Sequence, residues 1–130
     1  MVSTVAGTSQ SALASVCGSS NGVGTAASFC SIASNLAVDT ALALYIADNS
    51  YNIIRKITSS GVVSTFAGSG ASSSIDGIGT AATIWSPRGI CLDSTGNLFV
   101  SETGSNYKIR KIIIATGILY IGSLIFCAIF

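Results

Sequence analysis

The sequence predicts an all-β fold assembled from repeated four-stranded antiparallel units, the blades of a β-propeller. Three observations carry this reading. The stretch Asn21 to Phe29 (NGVGTAASF) aligns with Asp76 to Ile84 (DGIGTAATI) at an offset of 55 residues (76 − 21), and Asn52 to Ile57 aligns with Tyr107 to Ile112 at the same offset. A fixed period in this range marks propellers, solenoids or arrays. The apolar runs are short, bounded by turn residues and without a helical period. Finally, Leu42-Ala43-Leu44-Tyr45-Ile46-Ala47 is apolar at every position, so both faces of its sheet need cover, as in sheets stacked between other sheets.

In chain order, Val2-Ser3-Thr4-Val5-Ala6-Gly7 matches Val63-Ser64-Thr65-Phe66-Ala67-Gly68, so residues 1–20 read as the last strand of a preceding blade and a loop. The start falls inside a repeat and shows no signal peptide, which reads as a fragment or a truncated gene product. The Ser/Ala-rich loop Thr8 to Ser20 is longer than its counterpart by six residues (19 steps from Val2 to Asn21, 13 from Val63 to Asp76) and belongs on the surface. Residues 21–75 form the first unit and residues 76–122 the second. In each unit a run ending in an acid (Leu36 to Asp39, Ile90 to Asp93) leads to a second run (Leu42 to Ala47, Leu98 to Ser101), the spacing of a tight hairpin. The second hairpin has Gly96 for the left-handed turn position. The first lacks a glycine and is expected to turn less well. A third strand, Ile53 to Ile57 or Ile109 to Ile112, admits Arg and Lys and is expected nearer solvent. A fourth, Val62 to Ala67, ends at a Gly-rich connection. Phe66, Ile84, Leu92, Leu98 and Val100 are the expected core.

Composition narrows the partners. Charged residues are 8% of the chain, against roughly a quarter in ordinary domains, and the net charge is +1. No long-range field steers this chain to nucleic acid or an anionic membrane. The cysteines Cys17, Cys30, Cys91 and Cys127 have no C-x-x-C spacing and the chain has no histidine, which disfavours a zinc site and excludes a Ser-His-Asp triad. Cys17 and Cys30 would close a loop in an oxidising compartment; free thiols are the favoured reading.

The units resemble NHL repeats. The resemblance rests on the Val-Ser-Thr-x-Ala-Gly strand, Asp76-Gly77-x-Gly79-Thr80-Ala81-Ala82, Pro87-Arg88-Gly89-Ile90-Cys91-Leu92-Asp93, Gly96-Asn97-Leu98-Phe99-Val100-Ser101-Glu102, and Asn106 through Arg110-Lys111-Ile112. It covers Val2 to about Leu119. The first unit departs from it at Ile32, at Ser34-Asn35 and at the missing hairpin glycine. The resemblance implies a fragment of a six-bladed ring and a platform for protein or ligand binding. Some members bind RNA and some are enzymes, and the metal-binding histidines of the enzyme members have no counterpart here.

The candidate interaction surface is Arg55, Lys56, Trp85, Arg88, Lys108, Arg110 and Lys111. Arg55-Lys56 and Arg110-Lys111 recur in both units and would form a basic belt round a ring, although successive strand residues point to opposite faces. Asp39, Asp48, Asp93 and Glu102 end strands; a shared rim of acids is the sharper reading, and acceptance of turn N–H groups the favoured one. Asp76-Gly77-Ile78-Gly79-Thr80 lacks the lysine and the following helix of a phosphate loop, so its glycines read as the crossing between blades. No catalytic residue, metal or cofactor is assigned.

From Ile112 to Phe130 the chain is uncharged and follows Lys108, Arg110 and Lys111, as a membrane anchor would. Ala115 to Leu119 also fits the repeat, and a strand with a divergent tail at 123–130 is favoured. The overall expectation is a binding scaffold without catalysis of its own. The alternatives are a piece of a propeller lyase or hydrolase, or an RNA-binding domain. Self-association or completion by missing blades is expected, because a blade apolar on both faces needs two neighbours.

Overall fold

The computed structural model of the protein describes residues 1–8, 17–104 and 107–114. It is all-β, with two antiparallel sheets. The strands are β1 (Gly22–Val23), β2 (Ile32–Val38), β3 (Leu44–Asp48), β4 (Ile53–Ile57), β5 (Val62–Ala67), β6 (Pro87–Leu92), β7 (Asn97–Glu102) and β8 (Ile109–Ile113). The first sheet runs β1-β5-β4-β3-β2 and the second β6-β7-β8. Strands β2 to β5 form the four-stranded meander of one blade, and β6 to β8 are the first three strands of the next. The place of the fourth, and the tail from 115 to 130 read as an anchor or a divergent strand, lie outside the described residues, as do most of the Ser/Ala-rich loop and Asn106. Among the described residues no helix is long and apolar enough to cross a membrane.

The two hairpins have the same register. Leu36 pairs with Ile46 and Val38 with Leu44 in the first unit, and Ile90 pairs with Val100 and Leu92 with Leu98 in the second. Both turns have the same bonds: Asp39 N–H donates to Ala43 O and Leu42 N–H to Asp39 O, as Asp93 N–H donates to Asn97 O and Gly96 N–H to Asp93 O. The first turn is therefore as complete as the second, contrary to expectation. Leu42 takes the left-handed conformation (φ 61°) that Gly96 takes in the second unit (φ 86°). The missing glycine costs backbone strain and not the turn. Around each turn the aspartate gathers donors, Asp39 from Ala41 N, Ala43 N and Tyr45 Oη, Asp93 from Thr95 N, Asn97 N, Thr95 Oγ1 and Asn97 Nδ2.

The blades stack face to face. Ala37, Ala43, Tyr45, Ala47, Ile54 and Ala67 of the first form one buried cluster with Ile84, Ile90, Leu98 and Val100 of the second, and Phe66, Leu92, Ile112 and Ile114 pack against it. Of the expected core, Ile84, Leu98 and Val100 are buried, while Phe66 and Leu92 are half-buried at its margin. On the opposite face of the first blade, Ile46, Ile57, Val63 and Ala27 are buried beneath Ala6, Phe29 and Leu44. Ala6 stands to that face as Ala67 stands to the second blade, and Gly7 N–H donates to Gly24 O as Gly68 N–H donates to Gly79 O. Residues 2–7 thus lie where the outer strand of a preceding blade belongs, although they form no strand.

Cys17 and Cys30 form a disulfide, and no described cysteine is free. This corrects the expectation of free thiols. The same side of the blade that brings Ser20 against Ser28 (Ser28 N–H to Ser20 O, Ser20 N–H to Ser28 Oγ) brings the two cysteines to a Cα separation of 4.4 Å.

Candidate interaction surface

The charged residues that recur in both units are built into the blades. Arg55 on β4 was expected near solvent, yet it is fully buried. Its guanidinium donates to Ser28 O, Ser20 O and Asn21 Oδ1, lies 3.6 Å from Asp48 Oδ2, and stacks over the Phe29 ring at 5.0 Å. Ser20, Asn21, Ser28 and Phe29 all belong to the segment that leads into the first blade. Arg110 repeats the arrangement one unit later, donating to Thr83 O, Ser74 Oγ, Asp76 Oδ1 and Glu102 Oε1. Asn21 and Asp76, and Ser28 and Thr83, are equivalent positions at the repeat offset, 55 in both cases. Each arginine is a clasp that holds the incoming connection against the third strand of its blade. A strand buried on both faces tolerates the charge because carbonyls and a carboxylate meet it.

Asp48 is completely buried. Neither of its oxygens has a hydrogen-bond partner among the described residues, nor has Arg55 Nε. Burial pushes the Asp48 carboxyl up, and the Arg55 charge and nearby peptide N–H groups of Cys30, Ser31 and Tyr51 only partly offset it. The turn aspartates behave oppositely. The Ala43 N–H, ahead of the Tyr45 hydroxyl, holds Asp39 below its ordinary value. For Asp93 burial opposes the charge, but the donors on Asn97 and Thr95 outweigh it and hold the carboxyl far down. Tyr45, buried and donating to Asp39, is pushed up to about 12.

A single rim of acids does not exist. Asp39 and Asp93 sit at the β2–β3 and β6–β7 turns, whereas Asp48 and Glu102 end β3 and β7 at the other end of the sheets. Among the described residues no group of three metal-ligating side chains is present.

The basic belt is not continuous either. Lys56 projects from the face opposite Arg55 and lies over the Tyr45 and Phe66 rings at 5.4 and 5.9 Å; Lys111 lies over the Phe99 ring at 5.9 Å. Only part of the candidate surface gathers in one place. Pairing of Pro87 with Glu102 and donation from Glu102 N–H to Lys108 O put Arg88, Lys108 and Tyr107 at one end of the second blade, with Arg88, Tyr107 and Lys108 exposed. Trp85, half-buried, joins this end: Gly104 N–H donates to Trp85 O, and a Cβ on Gly104 would come within 2.5 Å of the indole. Sequence reasoning missed Tyr107, which is 82% exposed at φ 45° in the place of the buried Asn52. The repeat alignment itself held the signal, since an aromatic stands where the first unit has a small amide.

The chain matches no family model, and no curated protein matches it. Among solved structures it is similar to a structural genomics protein of unknown function from Bacteroides thetaiotaomicron, with a TM-score of 0.65 and 33% identity over 71% of this chain. The match covers 23% of that protein, so this chain corresponds to about a quarter of its length.

Proposed function

We propose that this chain supplies NHL-type propeller blades and works as a scaffold that binds a protein partner at the end of the sheets where Trp85, Arg88, Tyr107 and Lys108 gather. One observation carries the reading. The arginines and turn aspartates common to both units, Arg55 and Arg110, Asp39 and Asp93, are engaged in clasps and turn caps, whereas Arg88 and Tyr107, which differ between the units, stand exposed at the rim beside Lys108, whose Nζ donates to Ser74 O. Tyrosine, tryptophan and arginine are the residue types that dominate protein interfaces. A six-bladed ring, completed by further blades, is the form the NHL resemblance implies.

The test is a binding isotherm of a partner captured from cell extract and then purified. Tyr107→Ala and Arg88→Ala should each weaken it at least tenfold without lowering the denaturation midpoint. Unchanged affinity in both variants contradicts the assignment. Retention of RNA on filters that falls steeply with salt would favour the RNA-binding alternative, and turnover of ester or lyase substrates would favour the enzymatic one.

A further inference from the structure

We propose that the Cys17–Cys30 disulfide is a redox latch, which a dithiol reductant opens so that the connection leading into the first blade, and no other, detaches from its sheet. The observation is that two equivalent connections are held by different means. In the first unit Ser28 N–H donates to Ser20 O and Ser20 N–H to Ser28 Oγ; in the second Thr83 N–H donates to Ile75 O and Ile75 N–H to Thr83 Oγ1, each residue 55 positions on (75 − 20, 83 − 28). The backbone loops are the same, and the charges on them are not. The second connection meets Arg110 through the Asp76 carboxylate at 2.6 Å and meets Glu102 through the Ser74 hydroxyl at 2.5 Å, while Arg110 and Glu102 pair at 2.6 Å. The first connection has the neutral Asn21 in the place of Asp76. Asp48, one methylene shorter than Glu102, lies 3.6 Å from Arg55 and bonds nothing in the connection among the described residues. Hydrogen bonds with a full charge on both sides are the stronger kind, so the first connection is held less firmly by its clasp than the second.

The disulfide sits on the weaker of the two. Cys17 and Cys30 stand where the second unit has Ser72 and Trp85, again 55 positions apart (72 − 17, 85 − 30). The bond brackets Ser20, Asn21, Ser28 and Phe29, the residues that meet Arg55, and so keeps the two arms of the loop together where charge does not. Cutting it returns the loop's chain entropy to the open form. Both cysteines are exposed, so a reductant reaches them. One thiolate of the dithiol attacks a sulfur of the pair and forms a mixed disulfide, and its second thiolate then displaces that sulfur. The reductant leaves as its own disulfide, and Cys17 and Cys30 take up two electrons and two protons as thiols. Detachment of the loop lifts Ala27 and Phe29 from Ile46, Ile57 and Val63. It also withdraws Gly24, whose carbonyl accepts from Gly7 N–H and whose N–H donates to Gly61 O, and so loosens the hold on residues 2–7.

Amide hydrogen exchange of the full chain, read at Ser20 and Ser28 against Ile75 and Thr83, tests the latch with and without a dithiol. Reduction should speed exchange at Ser20 and Ser28 by a factor on the order of a hundred, the loop-closure entropy of a bond of this span, and leave Ile75 and Thr83 unchanged. Cys17→Ser/Cys30→Ser without reductant should reproduce that pattern, which assigns it to this bond and not to Cys91. Adding Asn21→Asp to that variant gives the first connection the carboxylate of the second and should slow exchange at Ser20 and Ser28 roughly fivefold. Unchanged exchange at Ser20 and Ser28 on reduction would overturn the proposal. Equal acceleration at Ile75 and Thr83 would overturn it too, since the bond would then be a staple of the whole fold. A Cys17→Ser/Cys30→Ser variant that keeps the oxidised pattern, or an added Asn21→Asp that restores no protection, would do the same.

Discussion

At the residue scale, Arg55, Asp48, Leu42 and Asp93 show four distinct ways in which one side chain fixes a blade. Arg55→Met would leave the Asp48 carboxylate buried with no opposite charge, a loss on the order of 3–5 kcal/mol in urea unfolding. The double variant with Asp48→Asn should recover most of it, and no recovery would show that the clasp to the incoming segment outweighs the ion pair. Leu42→Gly should raise stability by about 1 kcal/mol, because it relieves a left-handed backbone that a side chain disfavours; a lowered urea midpoint would contradict the strain assigned to that turn. The pH dependence has two opposed parts. The folded Asp93 carboxyl is depressed, so its contribution is present above the unfolded value of about 3.9 and is lost as pH falls below it. The folded Asp48 carboxyl is raised, so stability declines as pH climbs from about 3.9 through the folded value. Asp93→Asn should flatten the acid side of the stability profile and Asp48→Asn should remove the decline above it.

At the element scale, the strands, their order and the hairpin turns were legible in the sequence because alternation, turn chemistry and a repeat all constrain them locally. What was not legible depends on contacts between distant segments. Arg55 reads as a solvent-facing charge until the carbonyls of Ser20 and Ser28 are brought across the sheet to it. The four acids all end strands, which admits a shared rim as the sharper reading, yet antiparallel pairing sends Asp39 and Asp48 to opposite ends of β3, and Asp39 and Asp93 take the favoured role of accepting turn N–H groups. Of the seven candidate surface residues, Trp85, Arg88 and Lys108 gather at one end, because register places them there, while Lys56 and Lys111 turn to the following face. The Cys17–Cys30 pairing was open from spacing alone, since a loop of this size permits closure without requiring it. It spans a sequence separation of 13. Reduction should cost about 3 kcal/mol by the loop-entropy account, and the intact protein's Cys17 and Cys30 should resist a thiol reagent in denaturant until reduced. Immediate labelling of both would exclude the bond.

At the scale of the whole molecule, the account holds that two equivalent units differ in exposure because one has a neighbour where the other has none. Exposed apolar faces of this kind are uncommon on soluble monomers and mark contact surfaces. The arginine clasps and shared hairpin geometry say that the units are alike, so burial at equivalent positions isolates the effect of stacking. Residue-resolved radical footprinting in dilute solution tests this most directly. Ile90 and Ile54 should be protected while their counterparts Leu36 and Ile109 are labelled. Equal labelling within each pair in dilute solution would contradict the stacked-blade account.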